Sequence, residues 1–390
     1  MIYNILEWQR FLFGRLLEAA RMPPDPSPLH RAFFALGEAA ARTAAASEVN
    51  PTPIEDAVGH DAPWPIHPEI VEETPFVRVV RLRAPHGGRS RSLLIAPYSG
   101  YQTAVMSALV LALLEQGEVV VTDWKDARLV PLSEGRFDLA AQALFVARLV
   151  AAMGSGAHLV ALSQSGPAAL IATAIAAAHL AAGLPRSLIL LGSQIDPRRS
   201  GTALQHTIGT LPRELVAAQL LATVPGSYPG AGRRVYPAVL QLLGYSLASA
   251  PTYLDVQRGL LSELAEGVSR GYARQHADMH CLADVPGELF LDMLDWVAYR
   301  PAVSDAGLSF QGESIDLAGL RGLPLLTIEA EADELVGPGQ THALHTLRGK
   351  GGPGDAVTIP HGLHHDLFVG PRFGAKVAPA LSRFLAKLDR

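Results

Sequence analysis

The sequence predicts an α/β chain: a mostly parallel central sheet with helices on both faces and an inserted, mainly helical segment. Three observations carry this. Short apolar runs at Ser92-Leu-Leu-Ile-Ala, Gly117-Glu-Val-Val-Val-Thr, His158-Leu-Val-Ala-Leu and Ser187-Leu-Ile-Leu-Leu alternate with helical segments, the pattern of strand-helix-strand units. The rhythm breaks from Pro197 to about Gly322, where clusters such as Val224-Pro-Gly-Ser-Tyr-Pro-Gly interrupt several helical runs, and it resumes at Leu323-Pro-Leu-Leu-Thr-Ile. Finally, the third run ends in Ser163-Gln164-Ser165-Gly166 and enters an alanine-rich helix, so a strand, a tight turn and a helix meet at a serine.

Size and charge narrow the options. A chain of 390 residues, 49% hydrophobic, can bury one large domain with a substantial insertion. Net charge is −5 and no lysine-arginine cluster occurs, so nucleic acid is not an expected partner. The single cysteine, Cys281, excludes an intramolecular disulfide framework and reads as a small buried hydrophobe in a reducing compartment.

Taken in order, Ile2, Ile5, Leu6, Phe11, Phe13, Leu16 and Leu17 recur at helical spacing as a broad apolar stripe. A helix packed on the core accounts for it; the alternative is an amphipathic surface able to lie on a hydrophobic particle, with Trp8 and the arginines at its edge. Glu7, Arg10 and Arg15 interrupt the stretch before a signal-peptide core or a membrane span could form, so no transmembrane segment and a cytoplasmic location are expected. A helix follows over about 29–46, then a proline-broken connector, Asp61-Ala-Pro-Trp-Pro-Ile-His-Pro, with no regular structure expected. Residues 76–82 alternate apolar with polar or charged and predict an antiparallel edge strand. The expected division is an N-terminal helical extension over 1–75, a core over 76–196 and 323–390, and an inserted cap over 197–322.

The chemistry gathers where strands end. A serine hydroxyl is a poor nucleophile, so it needs a histidine to take its proton and a carboxylate to orient the imidazole. Ser163 is the candidate nucleophile at the tip of its strand, with small residues, Ala161 and Ser165, flanking it. The strand at Leu323 ends in Glu329-Ala-Glu331-Ala-Asp333-Glu334, and the last strand, about 356–359, ends in Pro360-His361-Gly362-Leu363-His364-His365-Asp366. Serine, acid, histidine is the chain order of the α/β-hydrolase fold, which is therefore the predicted fold. Ser163, Asp333 and His364 are assigned the three roles. Ser165, Glu329, Glu331, Glu334, His361 and His365 are their rivals, and the choice between His364 and His365 stays open. In this fold the oxyanion is held by the N–H of the residue after the nucleophile, here Gln164, and by one from the loop after an early strand, here Ser99 or Gly100. This chemistry needs no metal and no organic cofactor. Asp126 and Arg128, in the loop after the second run, are expected to pair with each other.

Several stretches together resemble the intracellular polyhydroxyalkanoate (poly-3-hydroxybutyrate) depolymerases over nearly the whole chain: Met1-Ile-Tyr with Glu7, Pro97-x-Ser99-Gly100, Asp123-Trp124-x-Asp126-Ala-Arg128-x-Val-Pro131, Gly232-Arg-Arg-Val-Tyr236-Pro237, Glu331-x-Asp333, Gly339-Gln340-Thr341 and Phe368-x-Gly370. The resemblance implies an α/β-hydrolase with a cap acting on the polyester of a carbon-storage granule, at the granule surface in the cytoplasm. It puts the family's acid on Asp333 and its histidine on His364. Expected partners are therefore the polyester granule or hydroxyalkanoate oligomers, with a homodimer as a further expectation. Two features depart from the pattern. The family's better-known members carry a cysteine followed by glutamine and proline at the elbow, where this chain has Ser163-Gln164-Ser165, so the nucleophile is an alkoxide rather than a thiolate. The expected Gly-His-Tyr-Gly is Leu363-His364-His365-Asp366, bulkier and more polar. The inserted segment's Tyr228, Tyr236, Tyr245 and Trp296 are candidates to line a path for the chain.

Overall fold

The apolar runs become the middle of one sheet because each has both faces covered, which is what continuous rather than alternating hydrophobicity encodes. In the computed structural model, which describes residues 2, 3, 5, 7, 8, 11, 15, 27–46, 53–98, 103–179, 183–304 and 307–390, eight strands form the main sheet. They are β1 (His67–Glu73), β2 (Val77–Arg83), β3 (Ser90–Ile95), β4 (Gly117–Trp124), β5 (His158–Leu162), β6 (Ser187–Leu191) and, after a long excursion, β13 (Leu325–Ala330) and β14 (Gly354–Ile359). Their order is β1-β2-β4-β3-β5-β6-β13-β14. Every pairing from β4 to β14 is parallel, and β2 pairs antiparallel with both β1 and β4. This is the mostly parallel sheet of an α/β-hydrolase. Every residue of β5, β6 and β13 is buried.

Ahead of the sheet stand α1 (Pro28–Ala46) and α2 (Ile54–Asp61); α3 (Ser107–Leu114) follows β3, α4 (Leu139–Met153) follows β4, and α5 (Gly166–His179) follows β5. Helix α5 is apolar on all sides and so must be buried; Ala168, Ala169, Leu170 and Ala172 have no exposure. It packs against α4, and α2 packs on α3.

Between β6 and β13 the chain forms α6 (Ala203–Gly209), α7 (Arg213–Leu220), α8 (Ala238–Ala248), α9 (Ala250–Glu266), α10 (Tyr272–His280) and α11 (Gly287–Leu294). Two three-stranded sheets accompany them, β7 (Ala222–Thr223), β8 (Arg234–Tyr236) and β9 (Val285–Pro286), then β10 (Val303–Ser304), β11 (Gly307–Phe310) and β12 (Glu313–Ile315). The glycine and proline clusters are the turns between these short pieces. After β13 come α12 (Leu344–Leu347), α13 (Gly370–Arg372) and the terminal α14 (Ala378–Leu388).

Three expectations are corrected. The sheet begins at His67, inside the proline-broken connector, and β1, not residues 76–82, is the edge strand. Nearly all of β1 is exposed, so it carries no apolar alternation to be read; its Glu69, Glu72 and Glu73 instead pair with Arg81, Arg148 and Lys125. At the N-terminus Tyr3 is buried and Ile2 of the stripe packs on the same small cluster, whereas the stripe's Ile5, the neighbouring Trp8 and the stripe's Phe11 are exposed by 48, 65 and 65% and do not pack on the core. Leu6, Phe13, Leu16 and Leu17 lie outside the described residues. Cys281 is half-buried rather than core.

Several of the stretches that carry the resemblance form internal fastenings. Asp126 and Arg128 pair at 2.9 Å, as their spacing suggests, and Arg128 stands over the Tyr228 ring. Asp284 accepts from the Tyr3 hydroxyl at 2.5 Å and from the Ala238 N–H, linking the N-terminus to α8. Buried Arg233 donates to the carbonyls of Val130, Pro131 and Gly135 at 2.6–3.0 Å, so it closes the loop after β4 onto β8. A buried guanidinium whose donors meet carbonyls is satisfied, as burial of a charge requires.

Candidate active site

Ser163 stands at the carboxyl end of β5, where the chain turns through residues 163–165 into α5. Its φ is +53°, a left-handed conformation costing a side-chain-bearing residue about 1–2 kcal/mol. Such strain persists only where the surroundings over-determine it. Two fastenings do so. Ser165, fully buried, accepts from the Leu162 N–H at 2.9 Å and has the carbonyls of Ile95 and Leu162 at 2.7 and 2.8 Å for its proton. Gly166 lets α5 approach the end of β6, since a Cβ there would fall 2.4 Å from that of Ser193.

Asp333 lies in the turn after β13. Its Oδ1 accepts the N–H groups of Leu335 and Val336 at 2.9 and 2.7 Å, which orients Oδ2 toward Nδ1 of His364 at 2.8 Å. A carboxylate acceptor there requires the proton on Nδ1, so Nε2 carries the lone pair. Nε2 faces Ser163 Oγ at 3.0 Å. The three residues thus stand in the order a proton relay needs: hydroxyl, imidazole acceptor, buried carboxylate. Burial disfavours the imidazolium of His364, but the adjacent Asp333 carboxylate and the nearby Glu334 outweigh it, and the pKa rises above its ordinary 6.5. The histidine is therefore a stronger base than one in water, poised to accept a proton from the hydroxyl.

The rival residues have other partners. Glu329 is buried and accepts the N–H groups of Gly339 and His342. Glu331 is largely exposed and accepts from the His361 N–H. Glu334 accepts from the His364 N–H at 3.1 Å and from the Ser249 hydroxyl at 2.5 Å, joining the histidine loop to the α8–α9 junction. His361 is exposed. His365 is half-buried with Nδ1 3.4 Å from the Tyr245 hydroxyl, and desolvation together with neighbouring His364 pushes its pKa down to about 3, so it is neutral.

A second serine-histidine-aspartate set, which the sequence did not announce, lies at the opposite end of the sheet. His158 Nδ1 is 2.7 Å from Ser187 Oγ and Nε2 is 3.2 Å from Asp389 Oδ1. Both Ser187 and His158 are without exposure, and burial lowers the His158 pKa. No substrate atom can reach that hydroxyl, so the set fastens the carboxyl-terminal helix to β5 and β6. Geometry alone does not make a relay.

Ser163 and His364, by contrast, open on a cleft of about 250 Å³. Its walls are largely apolar, with Ile208, Leu242, Met279, Leu282, Val297 and Phe368 among them, and Gln164, Gln194 and Gln241 supply polar points. Helices α6, α8 and α10 of the excursion form one side, and Tyr236 and Tyr245 line it, as sequence reasoning suggested. The other two aromatics do not line it: Trp296 is buried with its N–H on the Gln194 carbonyl, and Tyr228 lies by Arg128. Gln164, the residue after Ser163, borders the cleft; Ser99 and Gly100 lie outside the described residues. The turn leading to them is tied down at the end of β4: the Trp124 indole donates to the Ala96 carbonyl at 2.7 Å, the Ala96 N–H to Thr122 at 3.0 Å, and the Tyr98 hydroxyl to the Lys125 carbonyl at 2.6 Å. The Asp123-Trp124 stretch thus secures the loop's approach. Gly339-Gln340-Thr341 does the same behind the acid, with Thr341 bonded to both the N–H and the carbonyl of Ser193 and Gln340 bonded to Gln205, a cleft residue.

Gly192, unmarked in the sequence, backs the histidine. Its φ is +49°, and a Cβ would meet Leu367 Cδ1 at 2.6 Å and His364 Cε1 at 3.1 Å. Gly192→Ala is expected to displace the imidazole and lower kcat/KM on p-nitrophenyl butyrate about 100-fold, with the protein still folded by circular dichroism. Unchanged turnover would mean that the ring is positioned without this contact.

Among the described residues no group of three His, Cys, Asp or Glu side chains is placed to hold a metal ion, and no helix is long and apolar enough to cross a membrane. No curated protein matches the chain. Solved structures similar to it include a bromoperoxidase from Bacillus anthracis (14% identity, covering 83% of this chain and 100% of that one, TM-score 0.49) and a thermophilic esterase from Thermogutta terrifontis (14%, 84% and 100%, 0.43). A membrane phospholipase A described as a bacterial virulence factor is another (17%, 98% and 99%, 0.44). The family described as PHB de-polymerase C-terminus matches residues 192–389, half of the chain, from the end of β6 to the terminal helix, a span that includes Asp333 and His364. With the strand order of the sheet, that match establishes that the chain belongs to the PHB depolymerase family of α/β-hydrolases and is an ester hydrolase.

Proposed function

We propose that the protein is an intracellular polyhydroxyalkanoate depolymerase that cuts polyester chains through Ser163, His364 and Asp333 by way of an acyl-enzyme. One observation carries this reading: Ser163 Oγ, within 3.0 Å of His364 Nε2, opens on an apolar cleft in a chain of the PHB depolymerase family. Ser163 Oγ attacks the ester carbonyl while its proton passes to His364 Nε2. The Gln164 N–H and an N–H of Ser99 or Gly100 hold the oxyanion. Collapse breaks the ester C–O bond, and the imidazolium gives its proton to the departing hydroxyl end. Water, deprotonated by the same nitrogen, then releases the hydroxy acid and restores Ser163. The acyl-enzyme is an oxyester, which serine suits as well as cysteine. In this reading residues 197–322 act as a cap over the cleft, and the enzyme works in the cytoplasm at the surface of storage granules.

A soluble carboxylesterase or oligomer hydrolase is the second reading, favoured by the small cleft. The test is release of 3-hydroxy acid from protein-coated amorphous polyester granules beside hydrolysis of p-nitrophenyl butyrate. Turnover of both is expected. Hydrolysis of the small ester alone would leave the esterase chemistry standing and overturn the polymer as substrate.

A further inference from the structure

A second cavity, of about 490 Å³, adjoins the cleft and shares Tyr245 and Met279 with it. Neither Ser163 nor Gln164 lines it. Its link to the candidate relay runs through His365, whose ring meets that of His364 edge-on with centroids 6.3 Å apart. The cleft's 250 Å³ falls below the ~300–1,000 Å³ usual for small-molecule sites, so a polyester segment longer than the unit under attack must continue elsewhere. The partition between the two spaces includes Met279, an unbranched thioether that adopts many shapes, and Tyr245, whose hydroxyl stands 3.4 Å from His365 Nδ1.

Direction follows from the proton. His364 Nε2 must deliver it to the oxygen that leaves, so the alcohol side of the scissile ester lies toward the histidines, which is where the second cavity begins. Its wall there is the neutral His365 ring, which suits an uncharged ester chain. Farther along stand Ala108 on α3 and Thr252 on α9, and Arg274, paired with Asp61 at 2.6 Å and 43% exposed, marks the solvent end.

We propose that this second cavity is a leaving-alcohol subsite, holding the hydroxyacyl units on the alcohol side of the ester being cut while the cleft holds the acyl unit that Ser163 takes. The inference rests on the polyester reading above. It is tested by filling the cavity far from the cleft, with Thr252→Trp and Ala108→Trp on different helices, and by comparing p-nitrophenyl butyrate with a linear 3-hydroxybutyrate tetramer. Turnover of the small ester should stay close to wild type, which also reports folding. For the tetramer, kcat/KM should fall about tenfold or more, chiefly through KM. An unchanged tetramer rate in a folded variant, or an equal fall on both substrates, overturns the subsite. Calorimetry gives a second readout: Ser163→Ala should bind the tetramer about tenfold more tightly than Ser163→Ala with Thr252→Trp, and equal affinities overturn the proposal. If wild-type protein cuts the small ester and leaves the tetramer intact, the polyester reading itself has failed, and this inference falls with it.

Discussion

Ser163→Ala should lose on the order of 10⁶ in kcat on p-nitrophenyl butyrate, whereas Ser165→Ala should keep activity within about tenfold and lose stability instead, about 1–3 kcal/mol. The two serines differ by two positions and by everything around them. Ser163 Oγ lies 3.0 Å from a histidine nitrogen at the cleft, with its backbone in the left-handed region. Ser165 Oγ is buried, and its bonds to Leu162 and to the Ile95 carbonyl tie the elbow to β3. Removing it leaves a buried N–H and a carbonyl short of a partner, a folding penalty that urea titration reads directly. Full activity in Ser163→Ala would transfer the nucleophile's role away from Ser163. Loss of chemistry in Ser165→Ala without loss of stability would show that the deeper hydroxyl takes part.

These two serines also mark what a sequence can carry. The strand-turn-helix around them was legible because burial on both faces of β5 and on all sides of α5 writes continuous apolar runs. The candidate acid and histidine were legible as residue types at strand ends, where this fold delivers its reacting groups. Placing His364 rather than His365 beside Ser163 and Asp333 needed coordinates, because adjacent residues point different ways. His364 reaches Ser163 and Asp333, while His365 faces Tyr245. Three features had no signal to read. Strand β1 is exposed and held by ion pairs, so it lacks periodicity. Gly192 matters through a contact with residues far along the chain. The Ser187-His158-Asp389 set joins three distant positions, and only its burial tells it apart from a reactive one. The stretches that suggested a family are largely fastenings, such as Trp124 to Ala96 and Thr341 to Ser193; a fold that must hold a left-handed serine needs such ties as much as it needs the reacting groups.

Asp333→Asn should lower kcat by about 10⁴ and move the acid limb of the pH profile downward. The sign follows from the groups around His364. Burial favours the neutral ring, and the carboxylates of Asp333 and Glu334 override it, so the wild-type pKa lies above 6.5. The form that accepts the serine proton is the neutral one. Activity is therefore present above that pKa and lost as pH falls through it, with a midpoint on the alkaline side of 6.5. Removing the Asp333 charge leaves burial unopposed by its nearest counter-charge, so the midpoint falls even as the rate collapses; the amide can also present its NH₂ to Nδ1 and hold the wrong tautomer, with the proton on Nε2 facing Ser163. Glu334→Gln separates the two effects. It takes one charge away, keeps a carbonyl oxygen to accept the His364 N–H, and places an NH₂ that can donate to the Ser249 hydroxyl oxygen in place of the second acceptor, so the midpoint should move down with kcat nearly preserved. Profiles of kcat against pH for the three proteins on p-nitrophenyl butyrate decide the matter. A midpoint that stays in place in both variants would mean that another group governs the acid limb and that His364 is not the base.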